Sequence, residues 1–470
     1  MKRIALIFSL FVVACTKPSY SGIDRPNIGG NSATDMAIID YIDQRLEGEY
    51  YWLDEVAKKC NSFDRGVAWE DYLDGVLSRL TTNTDDGYIT SKGQRVYYSY
   101  IRELPSSTRS ETTGFGIDLY TTVVIVDREN SYYGFVVDNV YAGSPAEVAG
   151  IRRGDVIVKV NNGFITPNNY ASLFNLIYLN KQSNVTLQVR RQVVMAGDES
   201  TFAAELITAP YEECMVSHSE IIEGDKRVGY LVYSGFETHS DDRLLEVLRG
   251  FTEEGVRDVI LDLRTNGGGA ISSAVKLSSA LLPASFEGAT LCEARRNPKN
   301  RVGKERELFV MTPMDFHLDI DHLTIITSNH TASASELIIM GLRGLDIPVT
   351  LVGSTTQGKN CGMDVTRRTI GSTYLEYAPI TFMCFNAKGF GEWGDGVAAD
   401  VDAKAVDEYY PMPYVPWGSK YVKYDKALRL ALEHLGFVFG DTTRGDDVVR
   451  EAYPAHVEIA MPIEGIRLYE

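Results

Sequence analysis

The stretch LTIITSNHTASASELIIMG, residues 323–341, decides the fold around it. Residues 323–327 form a short, β-branched, apolar run with polar flanks, which is typical of a buried strand. From Leu337 onwards the apolar residues take up a helical spacing. The turn between the two carries Ser333, and the first N–H groups of a helix point toward a residue in that place. The pattern predicts a strand–turn–helix unit that holds one serine hydroxyl rigidly.

A lysine follows in the next predicted loop. Residues 349–353 (VTLVG) predict a second strand, and Lys359 lies in the glycine-containing loop beyond it, 26 residues after Ser333. A serine hydroxyl is a weak nucleophile at neutral pH and needs an adjacent base, which a neutral lysine can supply. Both residues also have a structural explanation, because Ser333 and Glu336 fit a helix capping box and a loop lysine is usually solvated.

A second strand-to-helix turn lies upstream. Residues 259–269 read VILDLRTNGGG, a buried strand that runs into three glycines, and residues 270–282 continue with helical spacing. Glycines allow backbone N–H groups to approach a ligand or a developing negative charge, since no Cβ is in the way. A tight turn that needs positive φ would use the same glycines, so the residues alone leave both explanations open.

Taken together, these segments resemble a known protease family. DLRxNxGG at residues 262–269, TASASE at residues 331–336 and Gly358-Lys359 have the order and spacing of the carboxy-terminal processing peptidases, or tail-specific proteases. The resemblance extends over about residues 112–403. Three ordered motifs are a far more specific signal than one short pattern.

The resemblance implies a Ser–Lys dyad in an α/β catalytic domain of the ClpP/crotonase-like kind. Ser333 would be the nucleophile and Lys359 the general base, while the backbone N–H groups of Gly268 and Ala334 would form the oxyanion hole. A lysine acts as a base only in its neutral form, which burial among apolar groups favours. We therefore expect activity to rise with pH along a single basic limb, and Lys359→Arg to abolish it.

The chain departs from the family pattern at three positions. Gly267 stands where the family often has proline, and Asn360 follows the lysine where glycine is common. Many members carry a glutamine four residues after the lysine that helps to orient it, and this chain has Met363 there. The sequence therefore does not identify the group that orients Lys359.

Other catalytic templates fit the chain less well. The seven histidines include no HExxH pair, so we expect no zinc site and no cofactor. His330 lies close to Ser333 in sequence, but a spacing of three residues does not define a triad, and loop or capping duty is the simpler interpretation. Residues 389–394 satisfy GxGxxG without a helix after them, which indicates a glycine-rich loop.

A PDZ-like module is expected at residues 112–195. YAGSPAEVAGIRRGDVI at residues 141–157 closely resembles the corresponding helix and strand of PDZ domains. Phe115, Gly116 and Ile117 resemble their carboxylate-binding loop, in which successive N–H groups hold a C-terminal carboxylate while the peptide adds as a strand. The alternative is a β-rich spacer with no affinity for peptides.

The first residues predict a targeting segment. Residues 1–14 combine Lys2 and Arg3 with an apolar core of ten residues, Ile4 to Val13, and that core is too short to span a bilayer as a helix. VVAC at residues 12–15 resembles a bacterial lipobox, which would make Cys15 the lipidated first residue of the mature chain. The alternative is an ordinary signal peptide that is cut elsewhere. Residues 15–34, rich in Ser, Pro, Gly and Asn, predict a flexible tether.

The expected fold class is therefore α/β multidomain. It combines an N-terminal helical region, a PDZ-like β-rich domain and a ClpP/crotonase-like α/β catalytic domain. The remaining boundaries are an N-terminal helical region at residues 35–110, a catalytic domain at residues 216–403 and a C-terminal extension at residues 404–470. Within that extension, residues 424–435 predict a helix.

Composition narrows the possible partners. The chain has 470 residues and a formal net charge of −18, which argues against nucleic acid and against a basic face on anionic lipid. Besides Cys15 there are five cysteines and no CxxC motif, so no disulfide pairing can be deduced. A lipid-anchored place in the bacterial cell envelope, periplasmic or outer-membrane, fits these features.

The leading hypothesis is a serine endopeptidase that cuts protein substrates recognised through accessible C-termini. The expected partners are thus protein or peptide substrates, and the membrane through the N-terminal lipid. The alternative is a catalytically idle peptide-binding scaffold of the same architecture, which Met363 alone supports. A lipoprotein that binds carbohydrate or a small ligand is a third, weaker alternative.

Overall fold

A computed structural model describes residues 32–90, 93–104, 112–125, 131–166, 168–178, 183–191, 200–403 and 415–439. The expected signal segment, Cys15 and most of the expected tether lie outside these described residues. The same holds for residues 404–414 and 440–470 of the expected C-terminal extension.

The described chain opens with helices and then changes to strands. The elements are α1 (Ala33–Glu49), α2 (Leu53–Lys59), α3 (Trp69–Leu77), β1 (Tyr88–Ile89), β2 (Arg95–Val96) and β3 (Tyr100–Leu104). α1 begins inside the stretch expected as tether, because Ser32 and Asp35 form a reciprocal capping box with bonds of 3.1 and 2.9 Å. The helices predicted for residues 35–110 extend only to Leu77, and the three strands β1, β2 and β3 follow. β3 pairs with a strand far along the chain.

The PDZ-like segment forms a main antiparallel sheet and a separate two-stranded sheet. Its elements are β4 (Thr112–Gly114), β5 (Ile117–Ile125), β6 (Ser131–Val140), α4 (Pro145–Val148), β7 (Asp155–Val160), β8 (Gly163–Phe164), α5 (Tyr170–Tyr178), β9 (Asn184–Arg191), β10 (Ser200–Ile207) and β11 (Ala209–Tyr211). The strand order of the main sheet is β10-β9-β7-β6-β5, with β8 beside β7, so β5 lies at an edge of the sheet. In the separate sheet, β4 pairs with β11. A sheet edge carries the backbone groups to which an extended peptide can add.

The catalytic segment contains the largest number of elements. In chain order they are β12 (Val216–Ile222), β13 (Val228–Tyr233), α6 (Asp241–Glu253), β14 (Asp258–Asp262), α7 (Ile271–Leu281), β15 (Thr290–Arg296), β16 (Arg306–Val310), β17 (His322–Thr327), α8 (Ala334–Gly344), β18 (Val349–Gly353), β19 (Cys361–Met363), β20 (Thr366–Ile370), β21 (Thr373–Ala378), β22 (Ile380–Phe385), β23 (Val401–Asp402) and α9 (Lys426–His434). The strands and helices expected from the three catalytic motifs correspond to β14, α7, β17, α8 and β18, with shifts of up to three residues at their ends.

The main sheet has the order β12-β13-β14-β17-β18-β23 and is buried on both faces. β12 is antiparallel to β13, and the remaining neighbours are parallel. Alternate residues of a strand point to opposite faces. Leu261 and Ile325 accordingly pack with α6, α7 and α8, whereas Ile260 and Ile326 pack with α9. The helix expected in the C-terminal extension therefore covers the second face of the sheet.

Two smaller sheets join the N-terminal region to the catalytic segment. One has the order β16-β15-β22-β19, and the other, β20-β21-β3, takes its last strand from the N-terminal region. A shared apolar core contains Tyr50 and Leu73 together with Leu375 and Ile380. Within the described part of the chain, no helix is long and apolar enough to cross a membrane.

Candidate active site

Ser333 lies at the turn between β17 and α8, as the sequence predicts. Its backbone has φ 56° and ψ −116°, a conformation that costs a residue with a side chain about 1–3 kcal/mol. Two bonds hold it there: Ser333 N–H donates to Glu336 Oε2 at 2.9 Å, and Leu337 N–H donates to the Ser333 carbonyl at 2.8 Å. A strained backbone persists only where the surrounding structure holds it, and such positions cluster at functional sites.

The turn after β14 (residues 263–269, called the glycine turn) contacts the turn after β17 (residues 328–335, called the serine turn) directly. Thr331 Oγ1 donates to the Leu263 carbonyl at 2.8 Å, and Ser335 Oγ donates to the Asn266 carbonyl at 3.0 Å. Ser328 Oγ donates to the Arg264 carbonyl at 2.6 Å. The first two sequence motifs therefore form one hydrogen-bonded unit.

Gly268 lies close against the backbone of the serine turn. Its φ is +107°, and a Cβ at this position would lie 2.7 Å from Ser333 Cβ and 3.1 Å from the Ala334 nitrogen. The fold thus brings Gly268, Ser333 and Ala334 together, and only glycine fits. The N–H of Gly268 donates to Asn266 Oδ1 at 2.8 Å, so this donor is already engaged by a side chain.

Glu336 links the serine turn to the loop that carries Lys359 (residues 354–360, called the lysine loop). Its carboxylate is fully buried and accepts from Thr356 Oγ1 at 2.6 Å and from Gly358 N–H at 2.7 Å on Oε1. On Oε2 it accepts from Lys359 N–H at 2.8 Å, beside the bond from Ser333. The backbone nitrogens of Ser333 and Lys359 are therefore within about 6 Å of each other.

Burial dominates the electrostatics of this carboxylate. Desolvation raises the pKa of Glu336, while its hydrogen bonds act in the opposite direction. The sequence presents Glu336 only as a capping residue, because a capping box involves one helix. The bonds to the lysine loop come from a segment about 20 residues further on, which the local pattern does not reveal.

The side chain of Lys359 is enclosed. The residue is 5% exposed, and its Nζ lies over the ring of Tyr98, 4.8 Å from the ring centroid. Tyr98 belongs to the N-terminal region and is itself 1% exposed. Nothing in the sequence motifs points to this tyrosine.

Asn360 and Met363, the two residues after Lys359 that depart from the expected pattern, have structural roles. Asn360 donates through Nδ2 to the Gly391 carbonyl at 2.8 Å. Met363 packs against the apolar core that the N-terminal region shares with the catalytic segment. Cys361 is buried, and none of the five described cysteines is in a disulfide.

His330 does not resemble a general base. Burial lowers its pKa to about 4, so the imidazole is neutral over the ordinary pH range. Its backbone N–H donates to Ser328 Oγ at 3.0 Å, which is consistent with a structural role in the loop. Among the described residues, no group of three or more His, Cys, Asp or Glu side chains is placed to hold a metal ion.

A half-buried glutamate borders the glycine turn and was not singled out by sequence. Phe236 N–H donates to the Gly268 carbonyl at 2.9 Å, and Ala270 N–H donates to the Phe236 carbonyl at 2.7 Å. The next residue is Glu237, whose pKa is raised to about 8 by desolvation and then by the neighbouring charge of Glu213.

The expected peptide-contact residues lie at the start of edge strand β5. The side chains of Phe115 and Ile117 are fully buried in the core of the PDZ-like segment. Gly116 has φ +73°, and a Cβ there would lie 1.9 Å from Ser144 Cβ. Any ligand at this position meets backbone groups, not these two side chains.

Comparison with known proteins identifies two modules. Residues 227–401 match peptidase family S41, and residues 136–191 match a PDZ domain. The first match contains the serine turn, the glycine turn and the lysine loop. The second contains α4, β7, β8, α5 and β9, and it begins after the expected peptide-contact residues 115–117.

Individual relatives span most of the chain. The carboxy-terminal processing protease CtpA of Bacillus subtilis is 25% identical over 372 residues, covering 78% of this chain and 72% of that protein. A CtpA-like serine protease of Staphylococcus aureus (strain MSSA476) is 25% identical over 458 residues, covering 95% and 82%. A crystal structure from Bacteroides fragilis, assigned to the S41 proteases, has a TM-score of 0.65 at 23% identity and covers 84% and 96%, which shows a common fold.

Proposed function

We propose that this serine-type protease, whose residues 227–401 match peptidase family S41, cleaves peptide bonds through a Ser333–Lys359 dyad. The observation that carries the proposal is the buried carboxylate of Glu336, which accepts from the backbone N–H of both residues. A carboxylate in that position fixes the two loops relative to each other. The strained backbone of Ser333 supports the same assignment.

The chemistry begins with proton transfer. Neutral Lys359 Nζ accepts the hydroxyl proton as Ser333 Oγ forms a bond to the carbonyl carbon, and the π electrons move onto the carbonyl oxygen. When the C–N bond breaks, the Lys359 ammonium gives its proton to the leaving amine. A water molecule then attacks the carbonyl carbon of the acyl-enzyme while Lys359 Nζ accepts its proton. When the ester C–O bond breaks, Lys359 returns that proton to Ser333 Oγ.

The developing oxyanion needs two donors, and we assign them to the N–H groups of Gly268 and Ala334. The close approach of Gly268 to Ala334 supports this pair. Asn266 must release the Gly268 N–H before that group can bind the oxyanion, because Asn266 Oδ1 accepts from it at 2.8 Å. We assign this change of hydrogen-bond partner, from Asn266 Oδ1 to the oxyanion, to the binding of substrate.

Substrate capture is assigned to the PDZ domain. A peptide added to edge strand β5 would bring its C-terminal carboxylate to the backbone of Phe115, Gly116 and Ile117. The name of the Bacillus relative, a carboxy-terminal processing protease, supports recognition through C-termini. Lipidation of Cys15 would anchor the enzyme in the cell envelope, and Cys15→Ser should release it from membranes in cell fractionation.

One comparison tests the dyad. Wild type and Ser333→Ala are given an unstructured peptide with an apolar C-terminus, and both cleavage and binding are measured. Cleavage by wild type alone supports the proposal. Binding without cleavage by both would favour the idle scaffold, and equal cleavage by both would exclude Ser333 as nucleophile.

A further inference from the structure

Strand β19 begins two residues after Lys359 and ends on an apolar residue. Met363 occupies the position four residues after Lys359 and packs in the shared core. A thioether is a weak acceptor and gives an amine little direction. Lys359 has a flexible four-carbon arm, so another group must determine where Nζ points.

The ring of Tyr98 lies in the right place for that task. Lys359 Nζ lies over its face at 4.8 Å from the centroid, and both residues are almost fully buried. The face of an aromatic ring carries negative charge and attracts a cation. It also covers one side of the amine, so that Nζ can approach a proton donor only from the other sides.

Tyr98 is itself fixed by a network of buried polar bonds. The next residue, Ser99, donates from N and Oγ to Asp86 at 2.8 and 2.7 Å. Tyr50 OH donates to the same carboxylate at 2.7 Å, and Ile380 N–H donates to Ser99 Oγ at 2.9 Å. The backbone that carries the ring is therefore attached both to the N-terminal helices and to β22.

From this geometry we infer that Tyr98 is the positioning residue of Lys359, supplied by the N-terminal region from outside the matched S41 domain. The inference rests on the proposed dyad. The ring holds Nζ in place and stabilises the ammonium that forms when Ser333 Oγ loses its proton to Lys359. The N-terminal region is then a working part of the active site.

The test uses the full-length enzyme with a peptide substrate. Tyr98→Leu keeps an apolar side chain but removes the ring, and we expect kcat to fall about tenfold or more at unchanged KM. Tyr98→Phe keeps the ring and should remain within about twofold of wild type. Tyr88→Leu is the matched control, since Tyr88 packs on Tyr98 at 5.9 Å between ring centroids and belongs to the same core.

A fluorine series separates electrostatics from packing, even if Tyr98→Leu folds poorly. Phenylalanine and its mono-, di- and trifluoro analogues at position 98 differ little in size, while the negative charge on the ring face weakens with each fluorine. A stepwise fall in kcat supports the inference. Equal kcat across the series, or an equal loss in Tyr88→Leu, overturns it.

Ser333→Ala separates the role of Tyr98 from the dyad itself. If Ser333→Ala is active, the dyad is wrong. If Ser333→Ala is inactive while Tyr98→Leu keeps the wild-type kcat, the dyad stands and only the role of Tyr98 falls.

Discussion

Glu336 shows how one side chain can combine two roles. As a capping residue it accepts from Ser333 N–H, and as a buried bridge it accepts from Thr356, Gly358 and Lys359. A buried carboxylate without a cation is costly, so each of these four bonds contributes to keeping it. The four donors therefore stabilise the buried carboxylate, and the carboxylate in turn holds the serine turn and the lysine loop together.

We predict that Glu336→Gln lowers kcat at least about tenfold, because one amide oxygen cannot replace two carboxylate oxygens. The new NH2 group would face N–H donors of the serine turn or the lysine loop. Steady-state cleavage and the rate of Ser333 labelling by a fluorophosphonate report the loss. Glu307→Gln, on a side chain that is 42% exposed, is the control and should behave as wild type.

Glu237 makes a prediction about pH. Its pKa rises from 4.5 to about 8 on folding, so the native state keeps a proton that the unfolded state releases. The stabilising contribution of that proton is complete below about pH 4.5 and is lost as pH rises toward about 8. Glu237→Gln imitates the protonated form and should remove this pH dependence.

Urea unfolding at pH 5, 7 and 9 measures the effect. The variant should match wild type at pH 5 and exceed it at pH 9 by a few kcal/mol at most, since one pKa unit corresponds to about 1.4 kcal/mol. Glu246→Gln, at an exposed helical position, serves as the control. Parallel curves for wild type and Glu237→Gln at all three pH values would contradict the assignment.

At the scale of elements, the site is a contact between two strand-to-helix turns. The turn after β14 supplies Gly268, and the turn after β17 supplies Ser333 and Ala334. Because β14 and β17 are parallel neighbours, both turns emerge at the same edge of the sheet. The helices that follow, α7 and α8, pack on one face, and α9 closes the other.

This contact leaves no room for a side chain at Gly268. We predict that Gly268→Ala reduces kcat by two orders of magnitude or more, because the new Cβ would meet Ser333 Cβ at 2.7 Å and disturb the proposed oxyanion donor. Cleavage kinetics and fluorophosphonate labelling check this outcome. Gly288→Ala is the control, since Gly288 also has positive φ (+79°) but a Cβ added there would have no other atom within 4 Å. If Gly268→Ala were as active as Gly288→Ala, the close approach of Gly268 to Ser333 would not matter for catalysis.

At the scale of the whole molecule, one tryptophan joins three parts of the chain. Arg153 of the PDZ domain lies over the Trp417 ring at 3.5 Å from its centroid and donates to the Val415 carbonyl at 3.0 Å. Arg264, in the glycine turn, lies 5.3 Å from the same ring and pairs with Asp425 at 2.9 Å. The C-terminal segment thus connects the PDZ domain to the catalytic core.

We predict that Trp417→Leu weakens this connection without destroying the catalytic core. Removing a ring that two guanidinium groups cover should let the PDZ domain unfold separately, and calorimetry should then show a new transition below the main one. Val438→Ala, at a side chain that is 95% exposed, should leave the thermogram unchanged. One unchanged transition in Trp417→Leu would mean that other contacts hold the domain.

The local sequence predicted those parts of the protein that short windows encode. Buried β-branched runs predicted β17 and β18, and glycines indicated the turn at Gly268. The spacing of the three motifs predicted a resemblance to a protease family, and residues 227–401 match peptidase family S41. These signals are local because burial on both faces, positive φ and a turn hydroxyl each constrain only a few adjacent residues.

Tertiary structure alone decided the partners that lie far apart in the chain. Tyr98 meets Lys359 across 261 positions, and Asp425 meets Arg264 across 161. It also decided that β3 completes a sheet with β21, and that Asn266 engages the Gly268 N–H. The reason is physical: a side chain's identity limits what it can bind, but its neighbours are selected only when the packed layers bring distant segments together.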